Sequence, residues 1–255
     1  SCDETAVAIV ADRRVLASQI ASQVPIHRRF GGVVPEVASR NHLLSILPTI
    51  EHTLEAANMT PADLGGLAVT SRPGLIGALL VGVQTARTLA LTWGLPVVGV
   101  HHIHAHCWVA AIRQGPDPDA DPGPDLPHLA LAVSGGHSSL LRVLGPEQVE
   151  TLGETLDDAA GEALDKFGKL LGLPYPAGPE IDRIAATGDP LRFALPMGMR
   201  GRRDLAMSFS GVKTAGRQLI DALRADGLAP EAGELLADLC ASYQTAVVTQ
   251  LVQTT

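Results

Sequence analysis

Four histidines, His101, His102, His104 and His106, fall within six positions of the stretch VGVHHIHAHCWVAAI (residues 98–112), and the whole chain has only nine. Imidazole titrates near neutrality and is the commonest nitrogen ligand of metals. On a helix, residues four apart share a face, so His102 and His106 can aim two nitrogens at one point. The same spacing also arises when polar residues merely gather at a helix start. Context favours metal, because the pair follows the apolar run LPVVGV (95–100) and open α/β sheets place ligands beyond the carboxyl ends of their strands. Two imidazoles need a third ligand, and a carboxylate is the expected kind. Cys107 lies off the histidine face and reads as packing. A metalloprotease would need H-E-x-x-H with a glutamate base, and HHIHAH offers none.

Three further stretches carry polar chemistry. Ser134, Gly135, Gly136, His137 and Ser138 stand between two apolar runs; adjacent glycines let backbone N–H groups approach an anion, and the hydroxyls add donors. Such a turn is also an ordinary tight hairpin. In Asp157-Asp158-Ala-Ala-Gly161-Glu162-Ala-Leu-Asp165-Lys166 the spacing puts Asp158, Glu162 and Asp165 on one helical face. That face is either solvated or holds a carboxylate able to accept both hydroxyls of a ribose. PYPAGPEID, ending at Asp182, is a Pro-Gly turn. The densest basic run is Met199-Arg200-Gly201-Arg202-Arg203, either a solvated loop or a contact for RNA phosphates.

The elements that must position these groups alternate. Residues 6–12 and 15–21 read as short strands, and residues 35–57 have apolar groups at helical spacing. GLAVTSRPG (66–74) is a buried strand ending in a turn, GLIGALLVGVQTARTLALTWG (74–94) a helix rich in small residues, and LPVVGV a second strand. Strand alternating with helix predicts a parallel or mixed α/β sheet. Residues 114–127, with five prolines, two glycines and four aspartates, form a loop or linker between a first lobe, 1–113, and a second, 128–255. LALAVSGGHSSLLRVLG (129–145) is strand, turn, strand. Its layout matches the start of the chain, which suggests an internal duplication. DDAAGEALDKFGKLLGL is a helix with an acidic start, GPEIDRIAATG a shorter one, and the final residues are helical.

The net charge is −8, so a general basic footprint for nucleic acid is absent and any RNA contact must be local. Three cysteines without a C-x-x-C point to a reduced, cytoplasmic setting. The longest apolar region, 74–100, is interrupted by Gln84, Arg87 and Pro96, too often to span a bilayer. Both ends look trimmed: the chain opens inside a strand-and-turn unit, and its closing helical pattern has no stop signal.

SCDET, GGVVPEVASRNHL, PGLIGALLVGVQTARTLA, HHIHAH, VSGGHS, LDDAAGEALDKFGKLLGLPYPAGPEID and SFSGVKT occur in this order over nearly the whole chain. Together they resemble the catalytic subunit of N6-threonylcarbamoyladenosine synthase, the bacterial TsaD type, formerly called O-sialoglycoprotein endopeptidase. The resemblance implies an α/β, two-lobed actin/sugar-kinase/Hsp70-like (ASKHA) fold with a nucleotide cleft between duplicated lobes. It implies transfer of threonylcarbamoyl from threonylcarbamoyl-AMP to N6 of the adenosine beside the anticodon, in tRNAs reading codons that begin with A.

Carried over by motif, His102 and His106 hold one divalent metal ion, iron or zinc. Ala132, Val133, Ser134, Gly135 and Gly136 line the substrate, and Asp165, Gly178 and Asp182 contact the adenylate. Asp3 and Glu4 are the catalytic carboxylates beside the metal and phosphate. The implied partners are tRNA, a TsaB-type paralogue and a TsaE-type ATPase, with no membrane.

The sequence departs from the family pattern. His104 and Ala105 replace the Glu and Gly of H-H-x-E-G-H, SGGHS replaces SGGHT, and YPAGP replaces YPGGP. The family's last metal ligand, a C-terminal aspartate, and its Gly-Gly-Val-Ala-Ala-Asn segment do not occur before Thr255. The chain as it stands is expected to lack that ligand, part of the adenine pocket and the final helix of the first lobe. Two other classes fit less well. A metal-dependent O-carbamoyltransferase would carry further domains and act on a small molecule. A non-catalytic scaffold paralogue of the same complex would lack the histidine pair.

Overall fold

The computed structural model describes residues 2–112, 123–199 and 204–255. It divides into two compact units, residues 1–126 and 127–255. In the first, β1 (Glu4–Ala11) and β2 (Arg14–Ser22) form an antiparallel hairpin. A short helix, α1 (Val24–Arg28), leads to the long α2 (Pro35–Ala57), which begins on a proline whose missing N–H costs nothing at a helix start. Next come β3 (Leu67–Arg72), α3 (Ile76–Trp93), β4 (Val97–His101) and α4 (His102–Cys107). α3 stops at Gly94, whose φ of +68° gives it a left-handed cap. β3 and β4 pair in parallel, with Thr70 opposite Val100, so both carboxyl ends leave on the same side. α2 packs on β1, β2 and α3, and α3 on β3 and β4.

The second unit opens on β5 (His128–Val133), β6 (Ser138–Gly145) and β7 (Gln148–Glu154), an antiparallel meander. Four helices follow: α5 (Ala160–Leu170), α6 (Gly178–Ala185), α7 (Ser210–Ala225) and α8 (Gly233–Thr254). Two of them bury a stripe at helical spacing, Ala160, Ala163 and Phe167 on α5 and Val212, Gly216 and Ile220 on α7, while α6 buries Ile181. α8 is buried on nearly all sides between Ala237 and Val247. Phe167 stacks on Tyr243 with ring centroids 3.7 Å apart, and the buried Tyr243 hydroxyl donates to the Ala163 carbonyl at 3.1 Å. Gly216 abuts both rings: a Cβ there would stand 2.9 Å from Phe167 and 3.0 Å from Tyr243. Asp238 of α8, almost fully buried, accepts from the Asp189 N–H at 2.6 Å and from Arg192 at 2.5 Å, so the loop after α6 is pinned to the last helix.

Several expectations are corrected. The described strands make three separate sheets, and only β3 and β4 are parallel. Alternating strand and helix predicts order along the chain; it does not say which strands share a ladder. Pro96 falls outside α3, which leaves Gln84 and Arg87 as the only interruptions. α3 is therefore long and apolar enough, by length and composition, to cross a membrane, as is the mostly buried α8. α5 begins at Ala160, so Asp157 and Asp158 precede the helix and are not part of its face. β7 and α7 are further elements that the expected pattern does not include. Most of the 114–127 linker and all of Arg200, Arg202 and Arg203 lie outside the described residues.

Candidate metal centre and substrate turn

β4 delivers His101 at its carboxyl end and α4 starts at the next residue. The Nε2 atoms of His102 and His106 face each other at 3.2 Å, with their rings inclined by 77°. Two nitrogens at 2.0–2.1 Å from a tetrahedral metal lie about 3.3 Å apart, so the pair has the bite of a two-nitrogen clamp. His101 and His104 stack on each other with centroids 4.1 Å apart, and this holds His104 away from the clamp. Cys107 is buried, its thiol donates to the Ile103 carbonyl, and burial pushes the thiol up, which fits packing better than ligation. Among the described residues no group of three or more His, Cys, Asp or Glu comes together as a metal site. The two facing imidazole nitrogens fit a metal, and among the described residues no third His, Cys, Asp or Glu joins them.

The SGGHS turn joins β5 to β6. Ser134 donates its N–H to the His137 carbonyl at 2.8 Å, and its hydroxyl oxygen accepts from the N–H groups of Gly136 at 3.3 Å and His137 at 3.1 Å. Those two amides are thus turned inward and do not form the open anion cradle that the glycines suggested. Ser138 is buried and its hydroxyl accepts from the Ala160 N–H at 2.9 Å. Gly135 and Gly136 are exposed, with open space where a Cβ would stand, so a ligand can come close to the backbone there. Ala132 and Val133 end β5 just before the turn.

The acidic stretch is not a common solvated face. Asp158 binds Lys166 at 2.6 Å and also Lys213 of α7, while Lys166 reaches Glu162 at 2.9 Å. Burial raises the Asp158 carboxyl, but hydrogen bonds from Lys166 and Lys213 outweigh this and hold it below its ordinary value. Asp157 accepts from the N–H groups of Phe209 at 2.8 Å and Ser210 at 3.1 Å, capping α7 from outside the helix. Asp165 turns instead toward the Pro-Gly turn, where it accepts from the Ala177 N–H at 2.6 Å, one residue before Gly178. Asp182 accepts from Gln244 of α8 at 2.6 Å.

Within the second unit, α5 therefore ties three predicted stretches together. Its first turn meets SGGHS, and its Asp165 meets the residue preceding Gly178. Lys213, in SFSGVKT, joins this network with no local signal in the sequence; a lysine reveals its carboxylate only once the helices are packed. Asp3 and Glu4 stand in the first unit, at the start of β1.

These features define a mixed α/β protein with a two-histidine candidate centre beyond the carboxyl end of a parallel strand. The family model described as TsaD, tRNA N6-adenosine threonylcarbamoyltransferase, matches residues 14–255, and the chain belongs to this family. A protein of that name from Anaeromyxobacter dehalogenans (strain 2CP-C) is 51% identical over 254 residues, covering 99% of this chain and 72% of the relative. Those of Geotalea uraniireducens (strain Rf4) and Crocosphaera subtropica (strain ATCC 51142 / BH68) are each 47% identical, covering all of this chain and 71% and 72% of theirs.

Proposed function

We propose that this chain transfers the threonylcarbamoyl group from threonylcarbamoyl-AMP to N6 of the adenosine beside the anticodon, in tRNAs reading codons that begin with A. The observation that carries the reading is the 3.2 Å approach of the His102 and His106 nitrogens, in a chain of this family. The adenine amine attacks the carbamoyl carbon of the mixed anhydride, the C–O bond to phosphate breaks, AMP leaves and the amine gives up a proton. AMP is a good leaving group at neutral pH, so positioning and charge stabilisation carry the catalysis.

His102 and His106 would hold one divalent ion, iron or zinc, which when bound supplies positive charge for the phosphate and the developing oxyanion. The exposed backbone at Gly135 and Gly136 receives the substrate, beside Ala132, Val133 and Ser134. Asp165, Gly178 and Asp182 form the adenylate side. Asp3 and Glu4 orient the amine and water or receive the proton.

The finer fold reading is a two-lobed actin/sugar-kinase/Hsp70-like architecture. It is supported by the two compact units, each opening on an antiparallel hairpin. We further propose a cytoplasmic enzyme working with a TsaB-type paralogue and a TsaE-type ATPase, without a membrane. Three free cysteines support a reducing compartment. The test is to combine the chain with both partners, unmodified tRNA and threonylcarbamoyl-AMP and to weigh the tRNA nucleosides by mass spectrometry. Modified adenosine that is lost in the His102→Ala/His106→Ala variant is expected; no product from the intact complex overturns the reading.

A further inference from the structure

Residues 2–5 are held by one buried ring. His42, on α2, is largely buried. Its Nε2 lies 3.3 Å from the Cys2 carbonyl and its Nδ1 lies 2.7 Å from the Thr5 hydroxyl. One imidazole thus bridges the residues on either side of Asp3 and Glu4. Gln23 completes the grip: its N–H donates to the Asp3 carbonyl at 2.7 Å, and its side-chain amide stands 3.3 Å from the same Nδ1.

The protonation of the ring follows from its partners. A carbonyl can only accept, so Nε2 must carry the hydrogen. The Gln23 amide nitrogen also donates to the Ala38 carbonyl at 3.4 Å, which fixes the end it presents to Nδ1 as a donor. Nδ1 therefore accepts, from the Thr5 hydroxyl and from Gln23. Burial lowers the tendency of His42 to protonate, in keeping with a neutral ring. Resting on the transferase reading above, we infer that His42 is a positioning residue for the Asp3 and Glu4 carboxylates. As a neutral, Nε2-protonated bridge, it fixes the backbone that carries them.

The bridge has two ends, and two substitutions separate them. The amide nitrogen of Gln can take the place of Nε2, so His42→Gln keeps the donation to Cys2. The oxygen of Asn can take the place of Nδ1, so His42→Asn keeps the acceptor for Thr5. His42→Ala keeps neither. Three measurements on the full chain and its reconstituted complex test the inference. First, ring nitrogen NMR shifts of His42 near neutral pH should show the Nε2-protonated neutral tautomer; an Nδ1-protonated or charged ring overturns it. Second, hydrogen exchange of residues 2–5 should quicken at least about tenfold in His42→Ala, beyond any change in global stability, and partly recover in the Gln and Asn variants. Third, kcat for threonylcarbamoyl transfer should fall about 10- to 100-fold in His42→Ala, the scale of a misplacement near 1 Å, with KM for tRNA changed less than about threefold. A fall in Tm with unchanged kcat and unchanged exchange at 2–5 would assign His42 to packing alone. Absence of transfer by the unsubstituted complex would count against the transferase reading only; the NMR and exchange results still decide the role of His42.

Discussion

Gly161 donates its backbone N–H to the Ser134 carbonyl at 3.2 Å, and a Cβ at position 161 would stand 2.7 Å from that same oxygen and 2.8 Å from the Gly135 Cα. The first turn of α5 and the SGGHS turn therefore touch backbone to backbone. Gly161→Ala must displace the turn or the helix. The expected cost is about 1–3 kcal/mol of stability, read by chemical denaturation. AMP affinity, read by calorimetry, should fall by more than the loss of folded protein explains. Unchanged affinity in a folded Gly161→Ala chain would remove the turn from the nucleotide site.

Removing either half of the histidine clamp should remove the metal. Zinc or ferrous iron titrated into the chain should bind at one site, weakly with only two protein ligands, and be lost in His102→Ala and in His106→Ala; the apo His106→Ala form should show no large change in Tm, since His106 is exposed. His104→Ala should leave binding intact, because that ring stacks on His101. Binding that survives the double variant places the metal elsewhere.

Asp158 gives a pH signature. Its carboxyl is depressed in the folded chain below the usual 3.8. A depressed carboxylate contributes stability that is fully present above the unfolded value and disappears as pH falls through the folded one. Asp158→Asn should cost about 1–2 kcal/mol at pH 7, the lower part of the range for charged hydrogen bonds because Lys166 is nearly half exposed. That cost should persist down to about pH 4 and shrink below it. Paired denaturation curves from pH 7 to pH 2.5 check this; a pH-independent difference would mean that the lysine contacts do not hold in solution.

The chain is acidic overall, so tRNA binding must be local. Changing Arg200, Arg202 and Arg203 together to Ala should flatten the log–log salt dependence of tRNA affinity in the assembled complex by up to about 3. Identical affinity and slope would place the RNA surface elsewhere. If the proposed assembly supplies further basic surface, the chain alone should bind tRNA more weakly than the complex, by the same salt series.

Much of this was legible in the sequence, for definite reasons. α2 follows the predicted bounds, 35–57, because a proline start and a long apolar period mark both its place and its type. The approach of the His102 and His106 rings was legible because i, i+4 spacing is a property of the helix itself. Partnerships across the fold were not. Nothing near Asp165 announces Ala177, and nothing near His42 announces Cys2 and Thr5, 40 and 37 residues away. The inward turn of the Gly136 and His137 amides is not legible, because Ser134 competes for them with any anion and such competition depends on a rotamer that the sequence does not specify.

Gly216 leaves no room for a methyl between α7 and the stacked Phe167 and Tyr243. Lys213 stands three residues before it on α7, and Lys166 directly precedes Phe167 on α5. Both lysines meet Asp158. The aromatic contact thus acts as a calliper, setting the gap between two helices whose charges must reach one carboxylate. A single added carbon in the interior would register at the surface as a misplaced charge. A variant at Gly216 would then look like an electrostatic mutant although no charged residue had been changed.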